Sequence, residues 1–172
     1  KDISINQMDH IKGKTIVITA GASGIGSQAA IALSKASAKV FVCDKDIDAL
    51  NAFSKNYPEI KTHHVDVSNE LEMSSFFKEI GKNSNKIDAL INNAGISGPS
   101  AKLEDIDFIE WKKTINTNLD GVFLATKFSI PLLKGGGGSI INIGSTSSFL
   151  GTPLRSAYSA SKWGLIGLTK TW

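Results

Sequence analysis

Five short runs rich in Ile and Val alternate with longer stretches of helical periodicity, and this alternation restricts the chain more than any other feature. The runs span residues 14–20 (KTIVITA), 39–43 (KVFVC), 61–67 (KTHHVDV), 87–91 (IDALI) and 139–144 (SIINIG). Each is too short for a stable helix and reads as a strand buried on both faces of a parallel sheet. Between them, Met73, Phe76, Phe77 and Ile80 recur at helical spacing and predict a core-facing helix over 68–81, with Ser68 as its cap. Parallel neighbours need crossover connections of fixed hand, so the expected fold class is α/β, a doubly wound parallel sheet with helices on both faces. Ligands of such sheets bind beyond the carboxyl ends of the strands. Chemistry is therefore sought in those loops.

Composition narrows the function classes. A length of 172 residues suits a single domain. The net charge is only +3, and Arg155 is the single arginine among nineteen basic residues. A surface gripping nucleic-acid phosphates through bidentate guanidinium groups is therefore not expected. Cys43 is the only cysteine, which rules out an internal disulfide and a cysteine-based zinc site. No apolar run approaches a membrane span of roughly 18 residues, and the polar opening KDISINQMDHIKGK is unlike a secretory leader. A cytoplasmic protein without membrane partners is expected. The run Gly135 to Gly138 reads as a flexible turn into the fifth strand.

The first strand runs into TAGASGIG, residues 19–26, with a helix expected over 27–35. Gly21, Gly24 and Gly26 permit a sharp turn and allow backbone N–H groups to approach a pyrophosphate at the positive end of that helix. Eighteen residues after Gly26, Asp44 closes the second strand, where a carboxylate accepts hydrogen bonds from ribose hydroxyls and repels a 2′-phosphate. Asp46 fits the start of the next helix. Asp66 closes the third strand and either faces an adenine or begins the turn at Ser68. His63 and His64 are adjacent on one strand, so they point to opposite faces and cannot share a metal. They read as structural, and no metal site is expected.

Together with these features, NNAG (residues 92–95), Asn118 in NTNLDG, Ser145 after SIINIG, and YSASK (158–162) resemble the short-chain dehydrogenase/reductase family in its compact, single-domain branch. The resemblance runs from about residue 14 to 172 and implies a Rossmann-type fold. It implies a nicotinamide cofactor held by Gly21, Ser23, Gly24, Ile25, Gly26, Asp44, Asp66, Val67, Asn92, Ala94, Gly95, Tyr158 and Lys162. It also implies a catalytic set of Asn118, Ser145, Tyr158 and Lys162. The family's first motif usually has glycine directly after its threonine, where this chain has Ala20, so the turn must tolerate an added methyl.

The chemistry of these residue types fits that set. A free phenol titrates near pH 10 and is a weak base at neutral pH. Lys162 lies one helical turn beyond Tyr158, where an ammonium favours the phenolate and makes the tyrosine a usable proton acceptor. Ser145 is placed to hold the substrate oxygen. The resemblance gives Asn118 a water linking the lysine to solvent, and gives Lys162 a second task on the nicotinamide ribose. The expected activity is hydride transfer between a nicotinamide cofactor and a secondary alcohol or its ketone. NAD is expected in preference to NADP because of Asp44 and the neutral Ser23, with Lys45 as a counterweight. Two rivals remain: an NADP-linked 3-oxoacyl-thioester reductase and a dinucleotide-binding protein without turnover.

The resemblance also implies a homodimer or homotetramer, for which Trp163, Leu165, Ile166 and Leu168 offer apolar surface. The pattern stops in mid-helix at Trp172, and relatives of this type continue for roughly 80 residues more. Residues 1–172 are thus expected to be one catalytic domain, truncated after the fifth strand and the catalytic helix. By itself such a piece is expected to be poorly soluble or inactive.

Overall fold

Successive side chains of a strand leave on opposite faces, and in the first two strands both sets are apolar. The computed structural model, which describes residues 9–135 and 137–172, shows where each set goes. Strands β1 (Thr15–Thr19), β2 (Lys39–Asp44), β3 (Lys61–His64), β4 (Ala89–Asn92) and β5 (Ser139–Asn142) form one parallel sheet in the order β3-β2-β1-β4-β5. Helices α1 (Gly24–Lys35), α2 (Ile47–Asn56), α3 (Glu70–Asn83), α4 (Phe108–Ile115), α5 (Gly121–Leu133) and α6 (Ser156–Thr171) complete the element order. Ile16, Ile18, Val40 and Val42 pack with Ala30 of α1 and with Leu50 and Phe53 of α2. Val17, Phe41 and Cys43 pack on the other face with Met73, Phe76, Phe77 and Ile80 of α3 and with Leu124, Ala125 and Leu133 of α5. The doubly wound, Rossmann-type sheet is thus built from the period-2 pattern of its own strands.

Not every strand is buried on both faces. β3 and β5 form the two edges, and Ile141 of β5 is 47 % exposed. Their runs look like the others because a short apolar segment carries no mark of its place in the sheet. Helix starts differ in detail as well. α1 begins at Gly24, three residues before the expected position. α3 is capped by Asn69, whose Oδ1 accepts from the N–H groups of Leu71 and Glu72. Ser68 is occupied elsewhere: its N–H and hydroxyl both donate to Asp66 Oδ1, which makes Asp66 the head of a tight turn. Asp46 caps α2 as expected, accepting from Ala49 N. Cys43 lies wholly inside the core, and burial pushes its thiol up to about 12.

The central pair β1 and β4 is clamped at its amino end. Asp88 Oδ2 accepts from Thr15 N at 2.9 Å, and its Oδ1 accepts from Lys14 and Lys86 Nζ at 3.2 Å each. Burial raises the proton affinity of this carboxyl, but these donors together outweigh it and hold Asp88 below the ordinary carboxylate range. The clamp therefore contributes fully above pH 3.8, the ordinary value, and its contribution fades as pH falls through the depressed folded value. Asp88→Asn should lower stability at pH 7 by about 1 kcal/mol, because both lysines are half exposed and screened. Urea titrations of the two proteins should converge on acidification, and a gap that widens below pH 3.8 would contradict this account.

Strand order reverses between β1 and β4, since the chain winds outward to β2 and β3 on one side and to β5 on the other. The crevice at the carboxyl ends of these two strands is where such a sheet binds ligands.

Candidate active site

The turn after β1 is held by backbone geometry and one asparagine. Ala20 adopts φ +50° and Gly24 φ +55°, both in the left-handed region. The turn thus keeps its shape around Ala20, at a strain of about 1 kcal/mol. Gly21 lies flat against Val42, where an added Cβ would come within 2.6 Å of Cγ1. Gly26 lies beneath Ala20 O and Asn93 Nδ2 with no room for a side chain. Asn93 Nδ2 donates to Thr19 O and Ala20 O, while Thr19 Oγ1 accepts from both Asn93 N and Ala94 N. The first turn of α1 carries no acidic residue, and its cap Ser23 makes no side-chain hydrogen bond. The positive end of α1 is therefore open to an anion.

Two cavities flank this turn at the carboxyl edge of the sheet. One of about 260 Å³ is lined by Ser23, Asp44, Lys45, Asp66, Val67 and Ala94 among others. Asp44 is buried, with Oδ2 accepting from Ala22 N at 3.2 Å and Oδ1 from Asp46 N at 3.1 Å. Its carboxylate thereby joins β2 to the glycine-rich turn. Asp66 sits lower than an ordinary carboxylate: desolvation raises it, but Ser68 donors and the nearby Lys45 outweigh that. The other cavity, of about 290 Å³, is lined by Ile25, Asn93, Ser97, Gly144, Arg155, Tyr158 and Lys162. Gly95 and Ile96 line both, so the two are neighbours.

Tyr158 and Lys162 lie one helical turn apart on α6, with Lys162 Nζ 5.8 Å from the Tyr158 ring centroid. Lys162 is buried, and its Nζ donates to Ile143 O at 2.7 Å. Desolvation lowers its ammonium below the ordinary lysine value. Asn118 is fully buried in a widened turn, Asn116–Asp120, a local form that recurs at functional sites. Its Nδ2 donates to Ile96 O and Ser161 Oγ, and its Oδ1 accepts from Ile96 N. The amide thus fixes the strip of chain shared by the two cavities to the helix bearing Tyr158.

The remaining expected residues are near the site without lining it. Ser145 follows Gly144 of the cavity wall, and its Oγ accepts from Ser147 N, capping the 3₁₀ turn Thr146–Ser148. Its hydroxyl proton is left for another acceptor. Asn92 supports the sheet: its Nδ2 donates to Thr126 Oγ1 and to Asn142 Oδ1. Gly21, Gly24 and Gly26 shape the turn from behind. His63 and His64 diverge, His63 toward Glu79 and His64 toward Lys45 O.

Sequence reasoning missed Asn93, Ser161 and Arg155. Asn93 stands inside the NNAG motif, but only the tertiary hydrogen bonds distinguish it from Asn92. A larger opening of about 400 Å³, lined by Ser34, Lys39, Glu59, Lys61 and Asn83, lies at the opposite end of the strands and contains none of the expected site residues.

Residues 14–172 match the family model described as short chain dehydrogenase. The chain is 35% identical over 167 residues to an oxidoreductase of Bacillus subtilis (strain 168) called YxbG, covering 95% of this chain and 61% of the relative. It is 35% identical to trans-4-hydroxycyclohexanecarboxylate dehydrogenase of Sinomonas cyclohexanicum, covering 95% of this chain and 66% of that protein. Its fold superposes on NAD+-bound xylitol dehydrogenase with a TM-score of 0.89 at 25% identity, over 94% of this chain and 64% of the other. The chain thus spans less than two thirds of the length of these three proteins. Among the described residues, no helix is long and apolar enough to cross a membrane.

Proposed function

This chain belongs to the short-chain dehydrogenase/reductase family, and on that premise we propose that it interconverts a secondary alcohol and its ketone with a nicotinamide dinucleotide. The observation that carries the proposal is the pair of adjoining cavities, which puts Asp44 at one end and Tyr158 with Lys162 at the other. The residues fit such a group: a glycine-rich turn too tight for side chains, an α1 terminus without acid, and a buried carboxylate at the end of β2. Ser23, Ile25, Asp44, Asp66, Val67, Ala94, Gly95 and Lys162 would hold it. Bound there, the dinucleotide supplies or accepts the hydride.

The protein's own groups handle orientation and the proton. In oxidation, the Tyr158 oxygen takes the proton of the substrate hydroxyl as the carbinol carbon gives up hydride; in reduction, the phenol returns it. The Ser145 hydroxyl donates to the same substrate oxygen. Lys162, whose burial weakens its hold on its own proton, is the proposed group that relays the proton from Tyr158 to a water leading to solvent. Asn118 keeps the strip around Ile96 in register with α6 and is the proposed anchor of a water leading to solvent.

Asp44 supports NAD as the preferred cofactor, because a 2′-phosphate would be set against a buried carboxylate. Lys45 on the same wall favours the second reading, an NADP-linked reductase of 3-oxoacyl thioesters. Calorimetric affinities should favour NAD by at least about tenfold, or roughly 1.4 kcal/mol, and tighter NADP binding would transfer the assignment to the second reading. Turnover of an alcohol and ketone panel with each dinucleotide tests the activity itself; binding without turnover would leave a dinucleotide-binding protein. Self-association is proposed along α5 and α6, where Phe123 and Trp163 stand exposed. Light scattering of the full-length protein should then report a dimer or tetramer, and a monomer would refute this.

A further inference from the structure

Arg155, the chain's single arginine, stands in the wall of the 290 Å³ cavity beside Tyr158 and Lys162. Its Cζ is 5.8 Å from the Tyr158 ring centroid, so the guanidinium lies against the ring that carries the reacting hydroxyl. Among the described residues it makes no ion pair and donates no side-chain hydrogen bond. Among the described residues no aspartate or glutamate lines this cavity, and the first turn of α6 carries none either. The chamber therefore presents two cations, Arg155 and Lys162, with no anion of its own. Its guanidinium nitrogens are not among the buried polar atoms and open into the cavity, so they are available to an incoming anion.

The backbone that carries this side chain is held on both sides. Arg155 directly precedes α6; its N–H donates to Thr152 O, and its carbonyl accepts from Ser159 N. Leu154 before it has φ +63°, and its carbonyl accepts from Ala101 N, which ties the approach to α6 to the loop after β4. The planar fork of a guanidinium matches two oxygens of a carboxylate in a way that no ammonium does.

We propose that Arg155 binds a carboxylate of the substrate, so that the natural substrate is a secondary hydroxy acid or its keto acid, with a short spacer between carbinol and carboxylate. The inference rests on the reading of Tyr158 as the proton-transfer group, because that reading places the carbinol oxygen at the phenol beside Arg155. A dinucleotide pyrophosphate is the other anion within the chemistry of this site. The open end of α1, whose cap Ser23 lines the neighbouring cavity together with Asp44, already offers that group its donors.

The test uses the full-length protein and Arg155→Gln, which keeps a polar side chain of similar length, with Arg155→Lys as a second variant that keeps the charge and loses the fork. Secondary 3- and 4-hydroxy acids are compared with their methyl esters by kcat/KM. Binding of the same acids to the protein saturated with reduced dinucleotide is measured by calorimetry. The parent should prefer acid over ester by at least about tenfold, and Arg155→Gln should abolish most of that preference. The acid should bind at least about tenfold more weakly to Arg155→Gln, with Arg155→Lys intermediate. Equal use of acid and ester by the parent overturns the proposal while leaving the oxidoreductase reading intact. Loss of dinucleotide affinity in Arg155→Gln as large as the loss for acid assigns Arg155 to the pyrophosphate instead and equally overturns it. If neither acids nor esters turn over, the calorimetric comparison still decides whether Arg155 holds a carboxylate, and undiminished acid binding in Arg155→Gln overturns the proposal.

Discussion

Tyr158→Phe should lower kcat for alcohol oxidation by about 100- to 10,000-fold while changing dinucleotide affinity little, because only the oxygen proposed to transfer the proton is removed. The ring remains, and with it the faces on which Arg155 and Lys162 lie at 5.8 Å. α6 should also keep its place, since it is anchored by Leu165 in the core and by Ser161 against Asn118. The loss should therefore appear in kcat rather than in KM for the dinucleotide. Lys162→Ala should behave differently: it removes the donor to Ile143 O and a proposed cofactor contact, so affinity and rate should fall together. A phenylalanine variant that keeps most of its activity would refute the proposed proton path.

Gly26→Ala should have a large effect for a single added methyl group. The new Cβ would run into Ala20 O and would stand 2.5 Å from Asn93 Nδ2. Neither neighbour can yield freely, since Ala20 is already at positive φ and Asn93 is bonded to Thr19 O and Ala20 O. Overpacking of this kind costs about 1–3 kcal/mol, which at this chain length corresponds to a fall in Tm of roughly 2–12 °C. The shifted turn would also misplace the end of α1, so dinucleotide affinity should drop by more than about tenfold. Gly167→Ala is the matched control. An added Cβ there meets nothing within 4 Å, and α6 should gain helix propensity, so Tm should hold or rise. A Gly26→Ala protein with unchanged Tm and affinity would show that the turn is not the rigid cradle described above.

The distribution of these effects reflects which information is local. β1 to β5, the core facing of Met73, Phe76, Phe77 and Ile80, and the cap at Asp46 follow from residue order alone. Periodicity and side-chain reach act over a few residues, so a linear reading captures them. The pairing of Tyr158 with Lys162 is legible for the same reason, being one turn of a single helix. The cap at Asn69 was not legible, because Ser68 and Asn69 are both good caps, and the choice depended on Asp66 capturing Ser68 first.

The residues that join distant segments could be named from the sequence only through the family resemblance, or not at all. Asn118 is recognisable as a polar residue in an apolar stretch, yet its partners, Ile96 and Ser161, lie 22 and 43 residues away. Asn93 and Asn92 are adjacent and chemically identical; strand direction sends one to the glycine-rich turn and the other to Thr126 and Asn142. In the linear text, Arg155 counts chiefly as the lone arginine on a lysine-rich chain. By itself the sequence determined the strands, the helices and their alternation, because those depend on short-range sterics and on the burial of a repeating apolar face. Only the tertiary structure decided that Asp44, Gly95 and Tyr158 share one edge and that Arg155 faces the phenol without a counter-ion among the described residues, because burial and pairing depend on every element that closes around a side chain.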